Sequence, residues 1–272
     1  MKVIFTNVNP HKKWNKERGI LIKLQIDNCL NNMGWKLEDI VLATNFEYEY
    51  RGVKAIVVPD DLYVGFDDKR YSFKVSTHIM IINYLLQHDL IEKGTLYWYH
   101  DMDAYQQELV TEEELGLDGL DLGLTNYGWS KKWNLGSFFF RESAKDIFAL
   151  LAHTIMEKQL GDERSFRGLW EEGKINHARC KLLNITYNFG MKNLKVMYEM
   201  ADKPLKVLHF HPCYKDATLP ESTLSMFMYG KNELGMVLMK PALIELFKKY
   251  GFEAPYGMNI SYNDFLRSIE YE

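Results

Sequence analysis

The chain lacks any long hydrophobic run, because about 18 uncharged apolar residues in a row, the length that a membrane span requires, occur nowhere in it. The first ten residues contain an apolar stretch too short for a signal peptide. Cysteine is scarce, with three residues in 272, and an odd, scattered set does not form a disulfide framework. These absences predict a soluble protein of a reducing compartment, namely the cytoplasm.

The chain also lacks low-complexity segments, polar linkers and a strong charge of one sign. Its formal net charge of -4 gives no general attraction to nucleic acid or to an anionic membrane. Apolar residues make up 47% of the sequence and aromatic residues 14%, which is too hydrophobic for a disordered chain. The composition therefore predicts a compact domain with a large core.

Patterns typical of strands and helices alternate through the first hundred residues. In order, the predicted elements are a strand from Val3 to Asn7, a helix ending at Gly34, strands from Asp39 to Thr44 and from Val53 to Val58, a helix from about Lys74, and a strand at Leu96. Such alternation predicts a Rossmann-like α/β fold, with a mostly parallel central sheet and helices on both faces.

Two aspartates follow the aromatic strand from Leu96 to Tyr99. Asp101 and Asp103 are two positions apart, so in an extended chain their side chains point the same way. Two carboxylates suit Mg²⁺ or Mn²⁺, which takes further ligands from water and from substrate phosphates. An acidic turn has the same sequence. The position at a strand end, where open parallel sheets bind ligands, is what favours a metal site.

The second half of the chain contains fewer strand patterns. The acidic stretch from Thr111 to Asp121, with Gly116, Gly119 and the nearby Gly123, predicts surface loops. Apolar residues from Ala144 to Ile155 recur at helical spacing, and we expect Gly161 to end this helix. Asp162 and Glu163 are then expected in a loop. A final helix is predicted from Pro241 to Tyr250.

Seven short segments occur in an order that is hard to obtain by chance. They are Thr6-Asn7, Phe73-Lys74, Asp101 to Asp103, Trp133 to Phe139, Asp162-Glu163, Leu183 to Asn188, and His209 to Lys215. Together they resemble motifs of the GT-A nucleotide-sugar glycosyltransferases, and within them the glycogenin-like and galactosyltransferase-like family eight. Pro212 and Glu163 depart from that pattern, since the family has glycine and glutamine there.

The resemblance covers roughly residues 3–215 and implies a single GT-A domain, which we assign to residues 1–219. Residues 220–272 have no counterpart in the family, and the pattern of the final helix predicts that they form a helical extension packed on the same domain. The resemblance also implies that the metal ligands, for Mn²⁺ or Mg²⁺, are Asp101, Asp103 and His209. The donor nucleotide sugar, a UDP-sugar by resemblance, would be bound by Thr6, Asn7, Lys74, Asp101, Gly136 and Lys215. The sugar and the reaction centre would be contacted by the catalytic residues Asp162, Glu163 and Asn134.

The acceptor and the stereochemistry stay open at this point. A glycan, a protein, a lipid-linked sugar and a modified nucleobase are all candidate acceptors. The resemblance implies retention of configuration, whereas an inverting enzyme would need only one carboxylate placed as base to the acceptor hydroxyl. His211 is an alternative to His209 as the metal ligand.

Three other interpretations compete with a transferase. The pairs His177 with Cys180 and His209 with Cys213 could form a zinc site, although the compact ligand pairs of zinc fingers are absent. An Asp-x-Asp pair also serves haloacid-dehalogenase-like phosphatases, in which one carboxylate attacks phosphorus. A non-catalytic module that binds sugar or nucleotide is the third alternative, because a fold does not fix a function.

Overall fold

Strands and helices alternate along the computed structural model, which describes residues 1–8, 16–62, 76–126, 133–190, 194–209 and 239–250. Its strands are β1 (Lys2–Asn7), β2 (Ile40–Thr44), β3 (Glu49–Tyr50), β4 (Val53–Lys54), β5 (Ile56–Val57), β6 (Tyr97–His100), β7 (Ala104–Gln106), β8 (Leu122–Asn126), β9 (Trp133–Phe140), β10 (Cys180–Leu183) and β11 (Val207–His209). Its α-helices are α1 (Lys16–Asp27), α2 (Thr77–Gln87), α3 (Glu112–Leu115), α4 (Lys145–Lys158), α5 (Asp162–Glu171), α6 (Leu194–Met200) and α7 (Pro241–Lys249).

Seven strands form a mixed sheet in the order β10-β8-β9-β6-β1-β2-β5. Four of its neighbouring pairs are parallel, and only β9 runs against its two neighbours. The pair β7 and β11 forms a separate two-stranded antiparallel sheet. The predicted α/β class with a mostly parallel sheet is confirmed.

Alternate residues of the central strands point to opposite faces, as the period of a strand requires. On one face, against α2, α4 and α5, lie the buried side chains of Ile4, Tyr97, Tyr99, Phe138 and Phe140. On the other face lie those of Val3, Phe5, Trp98 and Phe139, the first two against α1. The aromatic strand β6 is thus buried on both faces, which explains its near-continuous apolar sequence.

The segment from Val53 to Val58 is not the single strand that its apolar residues predict. Arg51 and Gly52 have positive φ, 51° and 84°, and form the tight turn of a hairpin that joins β3 to β4. After that turn only the two residues of β5 pair with β2 in the central sheet. The turn chemistry therefore divides the segment between two sheets.

The stretch from Thr111 to Asp121 contains a helix that the loop prediction missed. The Thr111 hydroxyl accepts a hydrogen bond from the Glu114 backbone N–H at 3.2 Å and caps α3. Gly116, with φ of 54°, ends it. Leu115 and Leu117 are buried, so this stretch contributes to the core as well as to the surface.

The predicted loop around Asp162 is also wrong. α4 ends at Lys158, followed by Gln159 with a left-handed φ of 52°, so Gly161 is not needed as its terminator. Gly161 instead precedes α5 with φ of -66°. Asp162 and Glu163 form the first turn of α5, where acidic side chains interact favourably with the helix dipole.

The C-terminal helix α7 confirms the prediction for residues 241–250. It begins at Pro241, and its buried side chains pack against α1 and Tyr105. The proposed boundary between residues 219 and 220 lies outside the described residues and stays a prediction. Among the residues that are described, no helix is long and apolar enough to cross a membrane.

Asp27, the last residue of α1, connects three parts of the chain. Its fully buried side chain accepts hydrogen bonds from Arg51 at 2.8 Å, from Lys249 at 3.0 Å and from the Tyr250 hydroxyl at 2.8 Å. Burial alone favours the neutral acid, but these three contacts outweigh it and hold the pKa of Asp27 below its usual value.

The Asp27→Asn variant should be less stable than the wild type at pH 7, by about 1 to 2 kcal/mol, because the buried carboxylate loses its charged hydrogen bonds, whereas the partly exposed Arg51 and Lys249 are rehydrated. The folded-state pKa lies below the unfolded value of about 3.9, so the carboxylate stabilises the fold above that value. Its contribution is lost as the pH falls through the folded-state pKa. Urea unfolding from pH 7 down to pH 3 should show the two stabilities converging, and a gap independent of pH would contradict this.

Candidate functional site

The polar residues of interest gather at one edge of the central sheet. β1, β6, β8 and β10 are parallel to one another, and β6 ends at His100, so Asp101 starts the loop at their carboxyl edge. β9 is antiparallel, which places its first residues, Trp133 and Asn134, at the same edge. The ordering of the strands therefore brings together segments that are far apart in sequence.

Asp101, Asp103 and His209 form one compact group at this edge. Their candidate ligand atoms all lie within 4.8 Å of one another. The Nε2 atom of His209 is 3.3 Å from Oδ1 of Asp103 and 3.8 Å from Oδ2 of Asp101. The histidine reaches the aspartates because β11 pairs with β7, with His209 opposite Ala104. Within the described ranges, this is the one group of three or more His, Cys, Asp or Glu side chains arranged to hold a metal.

A chain of hydrogen bonds fixes the orientation of the His209 ring. Its Nδ1 lies 2.9 Å from the amide oxygen of Asn188. The amide nitrogen of Asn188 in turn donates to the Thr125 hydroxyl at 3.3 Å, and that hydroxyl donates to the Asn134 carbonyl at 3.4 Å. Because an amide oxygen only accepts, Nδ1 carries the hydrogen and Nε2 faces the aspartates. A ligand histidine held from behind in this way is typical of metal sites.

Two glycines allow these groups to approach closely. A methyl group at Gly136 would overlap the His209 ring and lie 2.8 Å from Oδ2 of Asp101. A methyl group at Gly190, whose φ is 144°, would overlap the carbonyl oxygen of His209. The backbone N–H of Asp101 donates to the Gly136 carbonyl at 2.8 Å, so this glycine lies directly beside the acidic loop.

The acidic loop is also held from the opposite face of the sheet. The side-chain amide of Gln25, which is buried in α1, donates to the carbonyl oxygen of Ala104 at 2.8 Å and to that of Met102 at 3.2 Å. Backbone groups in the loop are thereby fixed by a residue that does not contact the aspartate carboxyls. The geometry of the two carboxylates depends on packing as well as on the Asp-x-Asp sequence.

The electrostatics of the group favour a bound cation. Burial, followed by the charge of Asp103, raises the pKa of Asp101 above its usual value. Burial lowers the pKa of His209, but the charge of Asp103 and its hydrogen bond outweigh this, and the net pKa is raised. The carboxylates thus repel each other and attract positive charge, which a divalent ion supplies.

Asp162 and Glu163 extend the acidic group. Glu163 acts electrostatically on Asp101, Asp162 and His209, which places all of them in one region. Oδ1 of Asp162 accepts a hydrogen bond from the Glu163 backbone N–H at 2.9 Å. Burial, and then the charge of Glu163, raise the pKa of Asp162 well above its usual value.

Asn134 and Thr6 are the other predicted site residues with described contacts. The Asn134 amide oxygen accepts from the Gly136 backbone N–H at 3.1 Å, and its buried Nδ2 has no hydrogen-bond partner among the described residues. Thr6, at the end of β1, hydrogen-bonds Tyr99, whose hydroxyl donates to Oδ1 of Asp101 at 2.6 Å. Both residues therefore contact groups that hold Asp101 in place.

The remaining predicted residues divide into two groups. Asn7 is buried at the end of β1, opposite Thr44 of β2. Lys74, Lys215 and the alternative ligand His211 lie outside the described residues. For the zinc hypothesis, His177 and Cys180 form no candidate metal group with His209 within the described part of the chain.

Solved structures match the fold, whereas no protein-family model and no curated protein matches the sequence. The glycosyltransferase GlyE of Streptococcus pneumoniae TIGR4 matches with a TM-score of 0.52 at 15% identity, over 94% of this chain and 65% of GlyE. A structure of LgtC matches with a TM-score of 0.54 at 10% identity, over 92% of this chain and 96% of LgtC. The galactosyltransferase LgtC with donor and acceptor sugar analogs matches with a TM-score of 0.51 at 11% identity, over 94% of this chain and 98% of that one.

The chain has the fold of these glycosyltransferases. The predicted GT-A architecture is thereby confirmed, although the chain spans less than two thirds of the length of GlyE. In this GT-A fold the group of Asp101, Asp103 and His209 could hold a divalent metal. Two carboxylate oxygens and one imidazole nitrogen form a mixed donor set that suits Mn²⁺.

Several residues that build the site in this GT-A fold were missed as site residues from the sequence. Asn188 lies in a segment that resembles the family, but nothing in the sequence links its amide to His209. Gln25 and His78 have no such signal, because neither lies in one of the seven segments that resemble the family. Tyr99 looks like a core residue of β6, and its hydroxyl at the edge of the sheet was overlooked.

Proposed function

We propose that this protein is a metal-dependent glycosyltransferase that moves a sugar from a nucleotide-diphosphate sugar, expected to be a UDP-sugar, to an acceptor hydroxyl. The observation that carries the proposal is the grouping of Asp101, Asp103 and His209 at the carboxyl edge of a GT-A sheet. Neither the fold nor the acidic pair is sufficient alone. The fold and the acidic pair occur together with His209, which comes from a distant part of the sequence, and this combination favours the function.

The three ligands would hold Mn²⁺ or Mg²⁺, which when bound acts as a Lewis acid on the donor diphosphate. Loss of the sugar leaves a diphosphate of high negative charge, so stabilising that charge is the main requirement of the reaction. Asp101 and Asp103 would fix the ion, and Asn188 holds the His209 ring so that Nε2 faces the two carboxylates. Lys74 and Lys215 are proposed, from the sequence alone, to add charge-assisted hydrogen bonds to the phosphates.

The nucleotide and sugar sides of the site are assigned by position. Thr6 and Asn7 end β1, next to β6, and are proposed to contact the nucleotide. Gly136 lies directly beside His209 and Asp101 and is proposed, from the family resemblance, to contact the donor. Asn134 has an amide nitrogen whose hydrogen-bonding capacity is unused within the described residues, and it is proposed to bind the sugar.

Asp162 and Glu163 are proposed to face the sugar at the reaction centre. The first turn of α5 lies near the metal ligands, so the two acids are proposed to orient the donor sugar or to stabilise positive charge on it. We propose transfer with retention of configuration. A base that deprotonates the acceptor directly would require only one of these acids, and product stereochemistry distinguishes the two outcomes.

Two alternative functions make different use of the same residues. A phosphatase would need one aspartate free to attack phosphorus, whereas His209 contacts both Asp101 and Asp103. A non-catalytic module would bind the donor without consuming it. The first alternative predicts phosphate release from phosphate esters, and the second predicts binding without turnover.

The test is a screen of nucleotide sugars by thermal shift and by donor hydrolysis, each with Mn²⁺, Mg²⁺ or a chelator. A donor that binds the folded state raises the melting temperature by mass action. We expect one nucleotide sugar to stabilise the protein and to be slowly hydrolysed only with metal. Acceptors of the four candidate classes are then tested with that donor. Absence of binding by every nucleotide sugar in every metal condition would refute the proposal.

A further inference from the structure

His78 is a buried titratable residue that the proposed reaction does not use directly. It lies in the first turn of α2 and is 8% exposed. Its Nε2 is 3.3 Å from Oδ2 of Asp162. In the same turn, the Ser76 hydroxyl accepts a hydrogen bond from the Asp162 backbone N–H at 2.9 Å. Ser76 and His78, at the N-terminus of α2, therefore lie against the backbone N–H and the carboxyl group of Asp162.

On its other side, the His78 ring packs against aromatic side chains that extend to the metal ligand Asp101. The His78 ring stacks on Tyr99 with a centroid distance of 4.8 Å and an interplanar angle of 9°. The Tyr99 hydroxyl donates to Oδ1 of Asp101 at 2.6 Å. Phe138 packs against both rings, at 6.3 Å from His78 and 4.9 Å from Tyr99. One rigid aromatic stack thus touches a carboxyl of each acidic pair.

We propose that His78 and Tyr99 are positioning residues, which fix the Asp162 carboxyl relative to the metal ligand Asp101. This inference rests on the proposed function, because it concerns how Asp162, on the sugar side of that site, is held in a fixed position relative to Asp101, on the metal side. Nε2 of His78 lies 3.3 Å from Oδ2 of Asp162, and the backbone N–H of Glu163 donates to Oδ1, so each carboxyl oxygen has a polar neighbour. The hydroxyl of Tyr99 likewise donates to Oδ1 of Asp101 and fixes its direction.

The relative position of the two carboxyls matters because the rate of group transfer depends steeply on geometry. A displacement of about 1 Å in a reacting or stabilising group can lower the rate by about 100-fold. Asp162 lies on α5, whereas Asp101 lies on the loop after β6, so these two elements must be fixed relative to each other. The stack supplies that connection through side chains that are not members of the metal-ligand group.

Two substitutions at His78 separate the polar contact from the packing. His78→Phe keeps an aromatic ring against Tyr99 but removes the contact with Asp162, and His78→Gln keeps a polar group near the position of Nε2. We expect His78→Phe to lower kcat by about 30- to 100-fold, with the donor KM and the Mn²⁺ affinity within about threefold of wild type. His78→Gln should recover about tenfold of that loss.

Tyr99→Phe is the matched change at the other end of the stack. It should weaken Mn²⁺ binding by about five- to tenfold, since the lost hydrogen bond oriented a metal ligand, and leave kcat at saturating Mn²⁺ within a few-fold. His153→Gln, at a side chain of α4 that is 72% exposed, is the control for a histidine replacement and should match the wild type. Circular dichroism and melting temperatures check that all variants fold.

A second measurement does not require activity. Urea midpoints of wild type, His78→Phe, Asp162→Ala and the double variant form a cycle that reports whether the two side chains interact. We expect the double variant to shift the midpoint by clearly less than the sum of the single shifts. Additive shifts would overturn the proposed contact, whatever the activity of the protein.

The outcomes separate the two proposals. Wild-type turnover together with a fully active His78→Phe variant would overturn the positioning role and leave the transferase function intact. Equal losses in kcat/KM for His78→Phe and His78→Gln, with a matching fall in melting temperature, would indicate a merely structural role and would also overturn it. A wild type that binds no nucleotide sugar would refute the proposed function and the catalytic part of this inference together.

Discussion

Asp103→Asn should lose about 100- to 1,000-fold in metal-dependent turnover, the usual loss when one positioned charge-stabilising group is removed from an active site. The substitution preserves the shape of the side chain but removes a charge that faces Nε2 of His209 at 3.3 Å. Because Asp103 raises the pKa of both Asp101 and His209, the variant also has less attraction for a cation. Donor hydrolysis at increasing Mn²⁺ concentration, with the Mn²⁺ affinity measured by calorimetry, checks both effects.

The matched control is Asp118→Asn, which removes a carboxylate from an exposed position in the turn after α3. It changes the net charge by the same amount and should retain wild-type turnover and Mn²⁺ affinity. If both variants lost activity equally, net charge would be the cause. If Asp103→Asn kept full activity with metal, the ligand assignment would be wrong.

The succession of strands and helices up to the acidic loop could be predicted from the sequence, because strands that are buried on both faces have near-continuous apolar sequences. β6 is the clearest case, since its four residues are all buried. Segments whose structure depends on a local turn were harder to predict. The turn at Arg51 and Gly52 divides an apolar run between two sheets, and periodicity alone contains no information about such a division.

Asp162 shows why a correct residue assignment can accompany a wrong local structure. The family resemblance identified the acidic pair, but the glycine before it was interpreted as a helix terminator. In the structure that role belongs to Gln159, and Gly161 leads into α5. The two acids are consequently fixed by the first turn of a helix, which gives them a more defined direction than a loop would.

The contacts that hold the ligands could not be predicted, because they join residues that are distant in sequence and have no shared pattern. Asn188 meets His209 only when β11 has returned beside β7. Gln25 reaches the acidic loop from the opposite face of the sheet. The metal ligands could be located because they lie in segments that resemble the family. The residues that hold those ligands in place are evident only from the three-dimensional packing.

Gly136→Ala should disrupt the metal site without altering any ligand. The added methyl group would overlap the His209 ring and lie 2.8 Å from Oδ2 of Asp101, so at least one ligand must move. Overpacking of a buried position destabilises proteins by about 1 to 3 kcal/mol. We expect a stability loss in this range, together with a loss of Mn²⁺ affinity of about 10- to 100-fold, since small displacements of ligands or of their supports have effects of this size.

Gly168→Ala is the matched control for Gly136→Ala, because its methyl group would meet no atom within 4 Å and it lies inside α5. Alanine is favoured over glycine in a helix by about 1 kcal/mol, so this variant should be more stable and keep its Mn²⁺ affinity. Calorimetric Mn²⁺ titration and urea unfolding of both variants provide the comparison. If Gly136→Ala lost stability but bound Mn²⁺ normally, the glycine would be required for packing alone, and the close approach of His209 and Asp101 would not define the metal site.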